Sequence, residues 1–246
     1  MKTRMLAILI LFGLAAACAP PPRPQVESLA GDYTLSLGQG IDFLKQKQYD
    51  RAAESLAKAA SLRPQASRAQ NLLGIAYLLQ GNFKKAEDVF LKAVAADKDY
   101  TAAYLNLGNA CFLMGQMAKA ESHFKTALSI DHDSVSAFYS LGTLMLSQGR
   151  YEQGMAYLAQ GVARDPDYLD RQRDFTASIS VAGLSSPETF FSWAKVYAGQ
   201  GNAAKAAQYL EKARNAGFKE WGRLETEKDF GKVLEDPEIK RFRKTD

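Results

Sequence analysis

The segment Ala103–Phe112 has the sequence AYLNLGNACF, and its glycine, Gly108, belongs to the pattern that decides the fold. Glycines recur every 34 residues on either side of it, at Gly40, Gly74 and Gly142. Self-similarity at a fixed period is the signature of a repeat architecture, in which each unit packs only against its neighbours. The chain is therefore expected to be an array of similar units.

Other positions repeat with the same period. A small residue follows each glycine after 12 positions, and a large apolar residue stands four positions further on. The small column contains Ala52, Ala86, Ala120 and Gly154, and the large column contains Leu56, Phe90, Phe124 and Leu158. Small residues let two helix backbones approach closely, and large ones fill the space between them. The further glycines Gly81, Gly115 and Gly149 suit a turn with positive φ.

These columns resemble the tetratricopeptide repeat (TPR), a 34-residue pair of antiparallel helices. The resemblance implies an all-α fold, a TPR helical-hairpin superhelix (alpha-alpha solenoid) of about five repeats with a C-terminal capping helix. The predicted segments are four repeats in 33–168, beginning at 33, 67, 101 and 135, an inserted helical segment at 169–186, a fifth repeat at 187–220 and a capping segment at 221–246, with its helix near 226–235.

The chain begins like an exported protein. Two basic residues precede the apolar run Met5–Ala17, which is too short to span a bilayer and suits a signal peptide over residues 1–17. The residues Leu14–Cys18 resemble the lipobox of bacterial lipoproteins, although Ala15 stands where that family usually has leucine. The resemblance implies cleavage before Cys18 and a diacylglyceryl group on its thiol. An ordinary signal peptide, cleaved without lipidation, is the alternative.

Residues 18–32 follow as a predicted tether. They carry four prolines, which prevent helix and sheet-interior structure and favour an extended chain. By the lipoprotein resemblance, Ala19 in place of aspartate directs the protein to the outer membrane, facing the periplasm. Loss of Lys2 and Arg4 with the signal peptide would lower the net charge from +4 to +2. Such a small charge does not indicate a nucleic-acid partner.

The resemblance also implies a groove lined by the first helix of each repeat. Its predicted lining is Leu37, Ile41, Leu44, Arg68, Asn71, Ile75, Leu78, Leu105, Asn109, Phe112, Tyr139, Thr143, Leu146, Phe191 and Lys195. An apolar groove suits a protein partner that offers an apolar strand or an amphipathic helix. A clamp for a terminal carboxylate is not expected, because Ile41 and Ile75 replace polar groups. The insert, the N-terminal arm or a second copy of the chain could instead fill the groove.

Catalytic and cofactor motifs are not evident. The only histidines are His123 and His132, and Asp131 and Asp133 beside the latter suit a polar turn better than a metal site. Cys111 falls in a core column and is expected to be a buried thiol. The basic cluster 240–244 is expected to solvate a helix end, with phosphate or lipid headgroup binding as the alternative. The chain is therefore predicted to be no enzyme and to use no metal, cofactor or small-molecule substrate.

The predicted function is that of a non-catalytic, lipid-anchored scaffold that helps to assemble a cell-envelope complex, such as a pilus, secretion or export machinery. The type IV pilus pilotin family has the same layout of lipobox, short tether and TPR array. The alternative is a periplasmic adaptor that regulates a hydrolase or protease.

Overall fold

The computed structural model describes residues 26–171 and 186–243, and within these ranges the chain is helical, without strands. Cys18, the four prolines, most of the predicted insert and the last three residues lie outside the described part. The predictions made for those residues stay predictions.

Four helical hairpins, here called units 1 to 4, follow one another without interruption. Their helices are α1 (Val26–Lys45) and α2 (Tyr49–Leu62), α3 (Ser67–Leu79) and α4 (Phe83–Ala96), α5 (Thr101–Leu113) and α6 (Met117–Ile130), and α7 (Val135–Ser147) and α8 (Tyr151–Arg164). The two helices of each unit pack together, and the second packs against the first helix of the next unit.

A fifth hairpin completes the array. The short helix α9 (Tyr168–Arg171) follows unit 4, and unit 5 consists of α10 (Pro187–Gly199) and α11 (Ala203–Asn215). The start of α10 has a defined chemical cause, because the Ser186 side chain accepts a hydrogen bond from the Thr189 N–H and Pro187 occupies the first turn. The predicted fold class, an all-α array of helical hairpins, is confirmed.

The recurring glycines stand where the two helices of a unit touch. A methyl group added at Gly108 would lie 2.4 Å from Cε1 of Phe124, which is closer than any real contact allows. The same clash would occur between Gly74 and Phe90, also at 2.4 Å. The glycine column and the large apolar column therefore form one contact, repeated along the array.

The turn inside each unit contains a residue with positive φ. Gly81, Gly115, Gly149 and Gly201 have φ between 72° and 78° in units 2 to 5. In unit 1 the equivalent residue is Lys47, which adopts a φ of 58° despite its side chain. Non-glycine residues are strained in this region, because Cβ crowds the following carbonyl oxygen.

Helix α1 begins earlier than the predicted first unit. It starts at Val26, so residues 26–32, which were assigned to the tether, are helical. The last proline of the segment is Pro24, and nothing after it prevents helix formation.

The C-terminal segment covers unit 5 with short pieces rather than one helix. These are α12 (Arg223–Thr226), a 3₁₀ helix (Lys228–Lys232) and α13 (Pro237–Lys240). Pro237 starts a new helix rather than continuing an earlier one, and the Asp236 side chain caps α13 by accepting from the Glu238 N–H. Three side chains of this segment, Phe230, Ile239 and Phe242, are fully buried.

Candidate functional site

The first helices of units 1 to 4 pack side by side, so they form one continuous face. Five apolar side chains and one amide on this face are half-buried, and therefore remain accessible to a partner. We call this set the open strip; it consists of Leu37, Ile41, Ile75, Leu105, Asn109 and Phe112. Arg68 lies at its edge and is exposed. All seven belong to the predicted groove lining.

The other predicted lining residues, apart from Lys195, are buried and offer no side-chain surface to a partner. They are Leu44, Asn71, Leu78, Tyr139, Thr143, Leu146 and Phe191, with at most 5% exposure. The prediction that these seven side chains line an open groove is therefore wrong. Leu146 shows the reason, because its Cδ2 would lie 2.7 Å from a methyl group added at Gly154, so it points towards α8 within its own unit.

Aromatic stacking closes the face at unit 4. The Tyr139 ring stacks on Tyr168 at 4.8 Å and on Trp193 at 5.5 Å, measured between ring centroids. The Tyr139 hydroxyl donates to the Asp165 carbonyl at 3.0 Å, and the Tyr168 and Ser136 hydroxyls share a hydrogen bond of 2.6 Å. Burial raises the pKa of Tyr139 far above its ordinary value, so this hydroxyl stays protonated.

The chain's own C-terminal segment covers the face at unit 5. Lys195 is largely buried, and its Nζ lies 2.6 Å from Glu227 Oε2 and 3.5 Å from Asp229 Oδ2. The Phe191 ring stacks on Phe218 at 4.3 Å, measured between centroids. Self-occupation of the groove was anticipated from the insert, the N-terminal arm or a second copy. In unit 5 it comes instead from the segment that caps the array.

A polar cluster borders the open strip between units 2 and 3. The Asn106 Nδ2 donates to Asn71 Oδ1 at 2.9 Å, which joins α5 to α3. The Tyr100 hydroxyl also contacts the Asn71 amide, and burial raises the pKa of this phenol. Tyr100 and Tyr168 were missed as site residues. A signal for them exists, because they occupy the same repeat position two periods apart.

The candidate catalytic groups do not assemble into a reactive site. The Asp133 N–H donates to Asp131 Oδ1 at 3.1 Å, and Arg164 pairs with Asp133 at 3.0 Å, so this segment is a polar turn beside the exposed His132. Within the two described ranges, no three His, Cys, Asp or Glu side chains are placed to hold a metal ion.

Cys111 is fully buried, as predicted. Its Sγ lies 4.0 Å from the buried carboxylate Oε1 of Glu87, and burial is the main reason why the pKa of the thiol is raised. Glu87 in turn pairs with Lys84 at 2.6 Å and with Lys119 at 3.7 Å. A thiol that is buried and held protonated is unreactive.

The described residues of the basic cluster near the C-terminus, Lys240, Arg241 and Arg243, form ion pairs. Lys240 pairs with Glu235 at 2.7 Å and Arg243 with Glu225 at 2.9 Å, while Phe242 between them belongs to the core. These ion pairs favour the prediction that the cluster solvates a helix end over the alternative that it binds phosphates. In the part of the chain that the structure describes, no helix has both the length and the hydrophobicity of a bilayer-spanning segment.

Family profiles identify the repeat. The tetratricopeptide-repeat profile matches residues 37–101, and the profile of the cilia and flagella-associated protein 70 middle TPR-like domain matches residues 79–216, more than half of the chain. The chain belongs to the tetratricopeptide-repeat family. A search of curated proteins gives no match.

Solved TPR structures share the architecture. Pseudomonas aeruginosa pilF is 16% identical, with a TM-score of 0.57 over 87% of this chain and 90% of pilF. A crystal structure of MamA is 18% identical, with a TM-score of 0.53 over 81% of this chain and 97% of MamA. A second MamA structure is 20% identical, with a TM-score of 0.51 over 72% of this chain and 93% of that one. At these identities the likeness concerns the fold alone.

Proposed function

We propose that this TPR protein is a non-catalytic scaffold that binds a segment of another protein on the open strip of units 1 to 3. The observation that carries the proposal is the difference in burial along the array. In unit 4 Tyr139 is buried against α9 and α10, and in unit 5 Phe191 and Lys195 are buried against the chain that follows α11, whereas units 1 to 3 leave apolar side chains half-buried. An accessible apolar strip of this kind usually marks an interaction site.

The location of the scaffold is proposed from the sequence. A lipid on Cys18 would hold the protein on a membrane, because acyl chains contribute about 0.8 kcal/mol for each buried CH₂. The prolines between Cys18 and α1 would then separate the TPR array from the lipid surface. Because of Ala19, the lipoprotein resemblance implies that the scaffold lies on the outer membrane and faces the periplasm. There it would help to assemble a pilus, secretion or export complex. The layout is that of the pilotin family.

The test is a gentle-detergent pull-down of the tagged, full-length protein from its own membranes, followed by mass spectrometry. Three variants accompany the wild type: Cys18→Ser, Ile41→Asp in the open strip, and Leu91→Asp as the matched control. Leu91 is 45% exposed on α4, a second helix, so its change introduces the same charge away from the strip.

The proposal expects a defined set of envelope proteins with wild type and with Leu91→Asp, and loss of that set with Ile41→Asp. Cys18→Ser should leave the membrane fraction. Equal recovery with both aspartate variants would refute the binding strip, and membrane retention of Cys18→Ser would refute the lipid anchor. If wild type brings down no stable partner but changes the turnover of a periplasmic hydrolase, the adaptor function replaces the scaffold.

A further inference from the structure

We infer that the ligand of the open strip is an amphipathic helix, and that a carboxylate on the flank of that helix pairs with Arg68. The inference rests on the proposed function and specifies its partner. An extended segment is the competing form of ligand, and the polar groups of the strip distinguish the two.

An extended ligand would lose hydrogen bonds in this groove. Each of its residues carries an N–H and a C=O group, and burying such a group without a hydrogen-bond partner is unfavourable. The backbones of α1, α3 and α5 are bonded within their own helices, and the described residues contain no strand edge that could pair with the ligand. Of the strip side chains, only Asn109 is polar, and the nearby Asn106 amide uses one of its two N–H donors to bind Asn71. These few groups cannot pair with the backbone of a long extended ligand.

A helical ligand avoids this cost, because its backbone groups are bonded internally. It presents apolar side chains at positions i, i+3, i+4 and i+7, which suit a strip made of Ile41, Ile75 and Phe112 on three neighbouring helices. Packed helix axes lie 8–10 Å apart, so the distance from α1 to α5 is about 18 Å. At 1.5 Å per residue, about twelve residues of helix cover that distance.

Arg68 supplies the charge that orients the ligand. It stands in the first turn of α3, on the same helical face as Asn71 and Ile75, at spacings of three and seven residues. Among the described residues, no carboxylate lies within ion-pair distance of it, in contrast to Arg150, Arg164 and Arg223. An exposed cation beside an otherwise uncharged strip is complementary to an acidic residue next to the apolar face of the ligand.

The test uses three fluorescent 18-residue peptides and the full-length protein in detergent. The first peptide has leucines at helical spacing flanked by glutamates. The second has the same composition with leucines at every other position, which favours a strand. The third is the first with lysine in place of glutamate. Binding is measured by fluorescence anisotropy to wild type, to Ile41→Asp, to Arg68→Glu and to Lys92→Glu, which reverses an exposed charge on α4.

The helical glutamate peptide should bind about tenfold more tightly than the alternating one, a difference of about 1.4 kcal/mol. Arg68→Glu should weaken it severalfold and should instead favour the lysine peptide, whereas Lys92→Glu should change neither. Tighter binding of the alternating peptide, or no effect of Arg68→Glu, would overturn the inference.

The two proposals fail in different ways. If no peptide binds, but recovery of envelope proteins still depends on Ile41, the helical ligand is wrong and the binding strip stands. If recovery is also insensitive to Ile41→Asp, the proposed function itself is wrong.

Discussion

Gly108 and Gly38 are both glycines inside first helices, but their surroundings give opposite expectations for substitution by alanine. At Gly108 the added methyl group would lie 2.4 Å from Phe124, a ring that is itself buried against its neighbours. Gly108→Ala should therefore lower the free energy of unfolding by about 1–3 kcal/mol, the usual cost of overpacking a core. Urea denaturation followed by circular dichroism measures this change.

Gly38→Ala is the matched control. Apart from the neighbouring backbone of α1 itself, no atom lies within 4 Å of the methyl group that it would add. Alanine is the better helix former by about 0.5–1 kcal/mol, so this variant should be slightly more stable than wild type. If the two substitutions destabilise the protein equally, the packing of Gly108 against Phe124 is wrong.

Lys47 tests the left-handed turn of unit 1. Its φ of 58° places a lysine where units 2 to 5 have glycine. The left-handed conformation costs an L-residue roughly 1–2 kcal/mol, and glycine avoids part of that cost. Lys47→Gly is therefore expected to raise the thermal midpoint, measured by calorimetry. Gly115→Ala makes the reverse change in unit 3 and should lower it. A lower midpoint for Lys47→Gly would contradict the turn geometry.

Ion pairs link neighbouring units on the side of the second helices. The Glu121 carboxylate on α6 accepts a hydrogen bond of 2.6 Å from Lys125 in the same helix. It accepts a second one, of 2.8 Å, from Arg150, which precedes α8. These hydrogen bonds lower the pKa of Glu121 below its ordinary value of 4.5. The folded state therefore binds this proton less readily than the unfolded state. The stabilisation is present above pH 4.5 and is lost as the pH falls through the lowered pKa.

Glu121→Gln is accordingly expected to reduce the free energy of unfolding at pH 7 by about 0.5–1 kcal/mol, since the pair is near the surface. The difference from wild type should shrink at pH 3. Urea titrations at both pH values measure it, with the exposed Glu54→Gln as the control. A difference that is the same at pH 3 and pH 7 would mean that Glu121 acts by packing rather than by charge.

The starts of several helices could be predicted from the sequence alone. The glycine column sets the register of units 2 to 4, and the predicted starts at 67, 101 and 135 coincide with the first residues of α3, α5 and α7. The predicted start at 187 coincides with that of α10, although Ala194 replaces the column glycine in unit 5. The C-terminal segment was harder, since it lacks the repeat pattern. Apolar residues at helical spacing, with a break at Asp236–Pro237, predict one capping helix near 226–235. In the structure this stretch is divided at Glu227 between α12 and the 3₁₀ helix.

The accessible residues of the groove could be predicted only in part. The repeat position shows which face of a first helix a residue occupies, and Ile41, Ile75 and Asn109 follow that rule. It does not show what covers the face. Tyr139 is buried by Tyr168, and Phe191 by Phe218. These two aromatic residues lie outside the paired helices of units 4 and 5, so the glycine and apolar columns of those helices do not include them.

At the scale of the whole molecule, the array has two different ends. At the N-terminal end, α1 presents Leu35 with 59% exposure, and Gly31 and Gly38 on α1 have open space beside them. At the other end, the C-terminal segment covers α10, and the Lys232 side chain donates to the carbonyl of Gly199 at 2.7 Å. In a stack where each unit contacts only its neighbours, the stability of one end is nearly independent of the other.

Phe230→Ala tests this independence. Phe230 is fully buried, 5.5 Å from Phe191 between ring centroids, and its truncation should cost about 3–5 kcal/mol. Because the loss is local, amide hydrogen exchange measured by mass spectrometry should accelerate in α10, α11 and the C-terminal segment, while α1 to α6 stay protected. The exposed Lys228→Ala serves as the control. Uniform acceleration along the chain would mean that the array unfolds as one cooperative block, and that the open strip depends on the C-terminal cover.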